Sequence, residues 1–207
     1  MSCVNIGVLI SGGGTNLQAI IDNINLNNIN GEIKIIISNR KDAYGLERGK
    51  RAGIESIYIN PDDYENDAQF NSKLLEEFQK RNIELIILAG YLKILSKELI
   101  SKYSGRIINI HPSLIPSFCG KNFYGKRVHE EIIRYGVKIT GATVHFVDEG
   151  TDTGPIILQD IVKVDENDTV DSLQKKVLDI EHDILVKAIK LFCENRLSIE
   201  GRLVKIN

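Results

Sequence analysis

The sequence predicts an α/β domain built on a doubly wound, mostly parallel sheet with helices on both faces. Three observations carry the prediction. Between Asn5 and Ile110, short apolar runs alternate with segments whose apolar residues recur at helical spacing. A glycine loop, Ser11-Gly12-Gly13-Gly14-Thr15-Asn16, follows the first apolar run at once. An amide and an imidazole, Asn109 and His111, stand two residues apart at the end of a later run, just before Pro112.

Asn5 to Ile10 reads as a buried strand, and Leu17, Ile20, Ile21 and Ile24 mark one face of the helix after the loop. Strand, glycine turn and helix aim backbone N–H groups and a helix N-terminus at an anion. Glycines let that backbone approach a phosphate without a Cβ in the way. The loop has no Walker lysine and no glycine at the third position of the dinucleotide pattern. Taken alone, it fits a plain tight turn as well as a phosphate cradle.

Glu32 to Ile37, with three consecutive isoleucines, suits a strand buried on both faces. Leu46 to Ala52 is a short helix that Gly53 ends, and Ile54 to Ile59 is a third strand. Phe70, Leu74 and Phe78 mark the next helix, with Asp67 as its expected N-cap. Glu84 to Leu88 is a fourth strand, followed by an unusually apolar loop, Ala89 to Leu95. That loop either packs under its neighbours or walls a pocket for a flat organic cofactor. Ser96 caps a short helix through Ile100, and Arg106 to Ile110 is the fifth strand.

Ser113 to Lys126 has little periodicity and two glycines, which reads as a mobile active-site loop. Val128 to Tyr135 is a helix and Thr143 to Val147 a strand. A turn-rich acidic loop, Asp148 to Pro155, leads to Ile156–Val164, which pairs antiparallel with the strand before it. Asp168 opens a long helix carrying Leu173, Val177, Ile180 and Ile184, and Leu203 to Ile206 is a late edge strand.

With 43% hydrophobic and 26% charged residues, the 207-residue chain has the profile of a soluble globular domain, and no linker divides it. A net charge of −2 recruits neither nucleic acid nor membrane. No apolar run reaches bilayer length, and Met1-Ser2-Cys3-Val4-Asn5 lacks the basic start of a signal peptide. Cys3, Cys119 and Cys193 are odd in number and lack metal-ligand spacing, so neither a disulfide frame nor a metal site is expected, and a cytoplasmic location is.

Side chains two apart on a strand share a face, so Asn109 and His111 emerge together at the carboxyl edge of the sheet, where open α/β sheets bind ligands. A carboxylate beside an imidazole raises its pKa, and Asp152 in the acidic loop is the candidate. An amide N–H can meet a developing oxyanion. The trio fits acyl transfer between two bound substrates, since no seryl or cysteinyl nucleophile stands in a recognised frame. Among the other histidines, His129 is expected to be solvated and His145 to be a core or supporting residue. Glu181 on its own reads as part of a solvated helix face.

These residues carry a family likeness over nearly the whole chain. Ser11 to Ile20, Ser38-Asn39, Ala43 to Arg48, Leu88 to Tyr91, Asn109 to Pro116, Val144 to Val147 and Asp152 to Pro155 together resemble the phosphoribosylglycinamide formyltransferases, folate-dependent enzymes of purine biosynthesis. The resemblance implies a Rossmann-like formyltransferase fold in one domain, residues 1–207. About 1–105 would be the phosphate- and nucleotide-binding part and about 106–207 the folate-binding and catalytic part. It implies Asn109, His111 and Asp152 as the catalytic set. Gly14, Thr15 and Asn16 would cradle the phosphate of glycinamide ribonucleotide, and Glu181 would hold its ribose hydroxyls. Leu92, Lys93, Ile94, Leu95, Asn109, Val147, Asp148, Glu149, Gly150 and Asp152 would line the site for the co-substrate 10-formyltetrahydrofolate. The reaction implied moves the formyl group to the glycinamide amine, with small-molecule partners only and no metal.

The chain departs from the family at two positions. Lys93 stands where members often carry Arg, and Asp67 where some carry an Arg that touches the folate tail. A formyltetrahydrofolate hydrolase on the same core is the competing enzyme reading, although those relatives usually carry an added N-terminal domain. Methionyl-tRNA formyltransferases share the core but have an extra C-terminal domain. A non-catalytic nucleotide-binding module would use the glycine loop alone. Oligomeric state, monomer or homodimer, is left open.

Overall fold

The structure, a computed structural model, describes residues 3–207. Met1 and Ser2, part of the stretch read above as lacking a signal peptide, lie outside the described residues. The strands are β1 (Val4–Ile10), β2 (Gly31–Ser38), β3 (Ser56–Tyr58), β4 (Leu85–Leu88), β5 (Ile107–His111), β6 (Ile139–Phe146), β7 (Ile156–Lys163), β8 (Leu197–Glu200) and β9 (Leu203–Ile206). The helices are α1 (Thr15–Asn25), α2 (Tyr44–Arg51), α3 (Asp67–Lys80), α4 (Lys97–Lys102), α5 (Lys126–Tyr135) and α6 (Val170–Cys193).

All nine strands form one sheet in the order β3-β2-β1-β4-β5-β6-β7-β9-β8. The first five are parallel; β6 and β7 then run antiparallel to their predecessors. The chain winds outward from β1 through β2 and β3, then restarts on the other side with β4. That reversal puts the glycine loop after β1 beside the apolar loop after β4, at the switch point where such sheets open a crevice. Ser11 N–H donates to the Gly90 carbonyl at 3.1 Å, and Leu92 N–H donates to Ser11 Oγ at 2.9 Å.

Alternation along each strand supplies two cores. Ile6, Val8 and Ile10 of β1, with Ile108 and Ile110 of β5, face a layer shared with Leu17, Leu46, Ile132 and Leu185. Leu9, Ile86 and Ile107 face the other layer, with Phe70 and Phe78 of α3 and Leu99 of α4. Gly7 lies opposite Phe78: a Cβ there would sit 2.8 Å from Phe78 Cε1. Asn109 and His111 continue the Ile107 side of β5 beyond this second core.

Several expectations are corrected. Asn66, not Asp67, caps α3, because its side chain accepts from Gln69 N–H at 3.0 Å. Thr169, not Asp168, caps α6 in a capping box with Ser172, while Asp168 binds Ser172 Oγ and Lys176 Nζ. The late strand β9 is not the edge: β8, unforeseen, pairs outside it, and β9 joins β7 through Ile156 and Leu203. Only Ser56–Tyr58 of the third predicted strand pairs, and β6 begins earlier and ends one residue sooner than expected. His129 is not solvated: it is 2% exposed on the inner face of α5. Glu181 is likewise buried rather than on a solvated helix face.

Candidate active site

A cleft of about 350 Å³ opens beyond the carboxyl ends of β4 and β5. Its size suits a small organic ligand. Leu92, Lys93, Ile94 and Leu95 line it from the loop after β4. Val147, Asp148, Glu149, Gly150 and Asp152 line it from the loop after β6, and Asn109, His111 and His145 from the sheet. The segment Gly120–Gly125, within the stretch read as an active-site loop, lines it too. The loop after β4 both packs under its neighbours and walls the cleft. Ala89 and Leu95 are buried, whereas Leu92 and Ile94 stay 49% and 72% exposed on the cleft. Lys93 is held at the rim by Asp67 at 2.9 Å and lies over the Phe70 ring. The two positions that depart from the family thus pair with each other.

Pairing of β5 with β6 sets Asn109 opposite His145 and His111 opposite Thr143. Nδ1 of His145 lies 2.8 Å from the Phe146 carbonyl. A carbonyl only accepts, so Nδ1 carries the proton. With the proton on Nδ1, Nε2 accepts from Asn109 Nδ2 at 3.1 Å. That fixes the amide orientation and leaves the second Asn109 N–H for another acceptor. His111 follows the same logic: its Nε2–H donates to the Phe118 carbonyl at 2.9 Å.

Asp152 sits between the two rings, with Oδ2 3.6 Å from His111 Nδ1 and Oδ1 3.7 Å from His145 Nε2. It also accepts from Gly120 N–H at 2.8 Å. Its φ of 57° is one that Asp and Asn tolerate better than most side chains. Burial pushes the Asp152 carboxyl up, but the His145 ring, the His111 ring and the Gly120 N–H outweigh it and hold the group below the usual carboxylate range. For His111 the balance goes the other way: burial lowers its pKa by more than Asp152 and the Phe118 bond raise it. Asp152 does raise the imidazole's pKa, as expected, but in the resting protein burial outweighs it. The ring is neutral at pH 7, and gaining a proton would put an N–H on Nδ1, facing Asp152.

A second cluster lies at the glycine loop. Gly14, with φ 71°, is the N-cap position of α1, and Thr15 and Asn16 form its first turn. Asn16 Nδ2 donates to Glu181 Oε2 at 2.7 Å, which joins α1 to α6. Glu181 is 8% exposed, and burial pushes its carboxyl up to about 7 against the pull of the Asn16 bond. The structure thus brings Asn16 and Glu181 together and leaves Gly14, Thr15, Asn16 and Glu181 off the lining of the cleft.

Sequence reasoning missed the Phe118 carbonyl and the Gly120 N–H, which are backbone groups without a side-chain signature. Among the described residues, no group of three or more His, Cys, Asp or Glu is arranged to hold a metal, and no helix is long and apolar enough to cross a membrane.

An Asn-x-His at the end of a central strand thus faces an Asp from the loop after β6. Residues 4–189 match the formyl transferase family, and the chain belongs to it. It is 38% identical over 196 residues to the phosphoribosylglycinamide formyltransferase of Escherichia coli (strain K12), covering 95% of this chain and 90% of that one. A solved glycinamide ribonucleotide transformylase 1 from Symbiobacterium toebii matches with a TM-score of 0.94 at 46% identity, covering 98% of this chain and 93% of that one. The human trifunctional purine biosynthetic protein adenosine-3 is 43% identical over 197 residues, 94% of this chain; the chain spans only 19% of that protein's length.

Proposed function

We propose that this chain transfers the formyl group of 10-formyltetrahydrofolate to the amine of glycinamide ribonucleotide, leaving tetrahydrofolate. The observation that carries this reading is the convergence of Asn109, His111 and Asp152 on one cleft whose remaining walls are largely apolar. In this reading the flat folate ring lies between the loops after β4 and β6. The ribonucleotide phosphate lies on Gly14, Thr15 and Asn16, with its ribose hydroxyls on Glu181.

The amine attacks the formyl carbon, and the oxygen gathers charge. The free N–H of Asn109 donates to it. The amine loses one proton as the new C–N bond forms, and N10 of the folate gains one as its bond breaks. The His111–Asp152 pair passes that proton: the ring, neutral at rest, takes it up, and the ionised carboxylate stabilises the imidazolium while it lasts. Substrates of this kind and three free cysteines fit a cytoplasmic enzyme.

The test is a spectroscopic assay of folate product with and without glycinamide ribonucleotide. Turnover that requires the ribonucleotide is expected. Product formed without it would identify a hydrolase instead, and no product from folded protein would leave only a nucleotide-binding module.

A further inference from the structure

We propose that Arg48 of α2 positions the phosphate cradle and supplies its positive charge; this rests on the reading of Gly14–Asn16 as that cradle. Two successive peptides of the glycine loop are pinned from α2. The Gly12 carbonyl accepts from Gly45 N–H at 3.1 Å. The Gly13 carbonyl accepts from Arg48 Nε at 2.8 Å. In a planar trans peptide the C=O and the following N–H point opposite ways. With both carbonyls turned toward α2, the N–H groups of Gly13 and Gly14 face away from it. There they join the N–H groups at the start of α1, which have no acceptor within the helix. Successive N–H groups turned to one side around a left-handed residue make an anion-binding concavity, and Gly14 is that residue.

Close packing keeps α2 in place. A Cβ on Gly14 would stand 2.7 Å from Gly45 Cα, and one on Gly45 would collide with Ile10 Cδ1. Arg48 itself is held on three sides. Its Nη1 donates to Gln18 Oε1 at 3.1 Å, its guanidinium lies 5.1 Å from the centre of the Tyr44 ring, and its Nε is committed to Gly13. Among the described residues, none of the ion pairs includes Arg48, so no carboxylate neutralises it. An uncompensated, pre-oriented guanidinium behind an anion loop both aims the peptides and offsets the charge they receive. Arg48 is thus a positioning residue: it acts through the Gly13 carbonyl rather than on the reacting atoms.

The test compares the full chain with Arg48→Met and Arg48→Lys, using KM and kcat for each substrate and calorimetric binding of glycinamide ribonucleotide. Arg48→Met should raise the ribonucleotide KM by roughly tenfold to a hundredfold, as expected for losing a charged hydrogen bond. The KM for 10-formyltetrahydrofolate should stay within about twofold, since the cleft is left intact. Arg48→Lys keeps the charge and one donor and should recover part of the loss. An unchanged ribonucleotide KM in Arg48→Met overturns the assignment. So does a parallel rise in both KM values, which would indicate a merely structural role. If Arg48→Met does not fold, Arg48→Gln, which keeps a donor without the charge, takes its place, and an unchanged ribonucleotide KM there overturns the assignment. Failure of the underlying function is distinct: the unmodified chain would then show no ribonucleotide-dependent turnover at all.

Discussion

Nδ2 of Asn109 donates to Nε2 of His145 at 3.1 Å, while the other ring nitrogen of His145 is held by the Phe146 carbonyl. The Asn109 amide therefore cannot flip without losing a bond inside a buried site. His145→Gln should lower kcat by roughly tenfold, the scale of one misplaced hydrogen bond, with smaller changes in both KM values. Steady-state kinetics decide it, and a kcat equal to that of the unmodified chain would rule out the positioning role.

Asp152→Asn keeps the shape and the tolerated positive φ but removes the charge. The loss in kcat should be roughly a hundredfold to a thousandfold. The pH profile gives a second readout. Burial already holds His111 below its ordinary 6.5, so the acid limb of kcat/KM should lie below that value. Asp152 is one of the groups raising the His111 pKa, so removing its charge should move the limb lower still. A limb that moved up would contradict this account of the pair.

Glu181 offers a trade between stability and binding. Its carboxyl rises from an ordinary 4.5 in the unfolded chain to about 7 in the folded one. The folded state binds the proton more tightly, so stability falls as pH rises from about 4.5 through about 7, by on the order of 3 kcal/mol in all. Glu181→Gln retains an acceptor for Asn16 without the buried charge. It should raise the urea midpoint at pH 8, show little gain near pH 5, and weaken ribonucleotide binding. A gain of the same size at both pH values would mean that the charge is not its source.

His129 acts in the opposite direction over much the same pH range. Burial lowers its pKa to about 4, with the nearby His111 adding to the effect, and its Nδ1 has no hydrogen-bond partner. The unfolded chain binds this proton more tightly, so stability is full above about 6.5 and falls as pH drops toward 4. His129→Leu should make the urea midpoint less sensitive to pH across that window. An unchanged slope between pH 7 and 5 would count against it.

The sheet was legible because its central strands are nearly continuous isoleucine and leucine, as in Ile35-Ile36-Ile37 and Leu85-Ile86-Ile87-Leu88. β8 escaped because Leu197-Ser198-Ile199-Glu200 is short and half polar, and its pairing depends on a partner rather than on burial. Asn109 and His111 were legible from spacing alone. The neutral state of His111 was not, since it depends on how much solvent the surrounding loops exclude. Asn66 and Asp67 are both good caps by composition, and only the backbone decides between them. Nothing in the spacing of Arg48 points it at Gly13; the packing of α2 against the glycine loop does that.

The bond between Asn16 and Glu181 spans 165 positions in the chain. During synthesis the glycine loop emerges well before the helix that completes it. A ribosome-bound fragment would carry the loop without its carboxylate partner, and it could not close this corner of the sheet. The loop therefore becomes competent only after the 165 positions that separate it from Glu181 have been added. A ligand held there grips α1 and α6 at once, so its binding energy resists their separation rather than the opening of one loop.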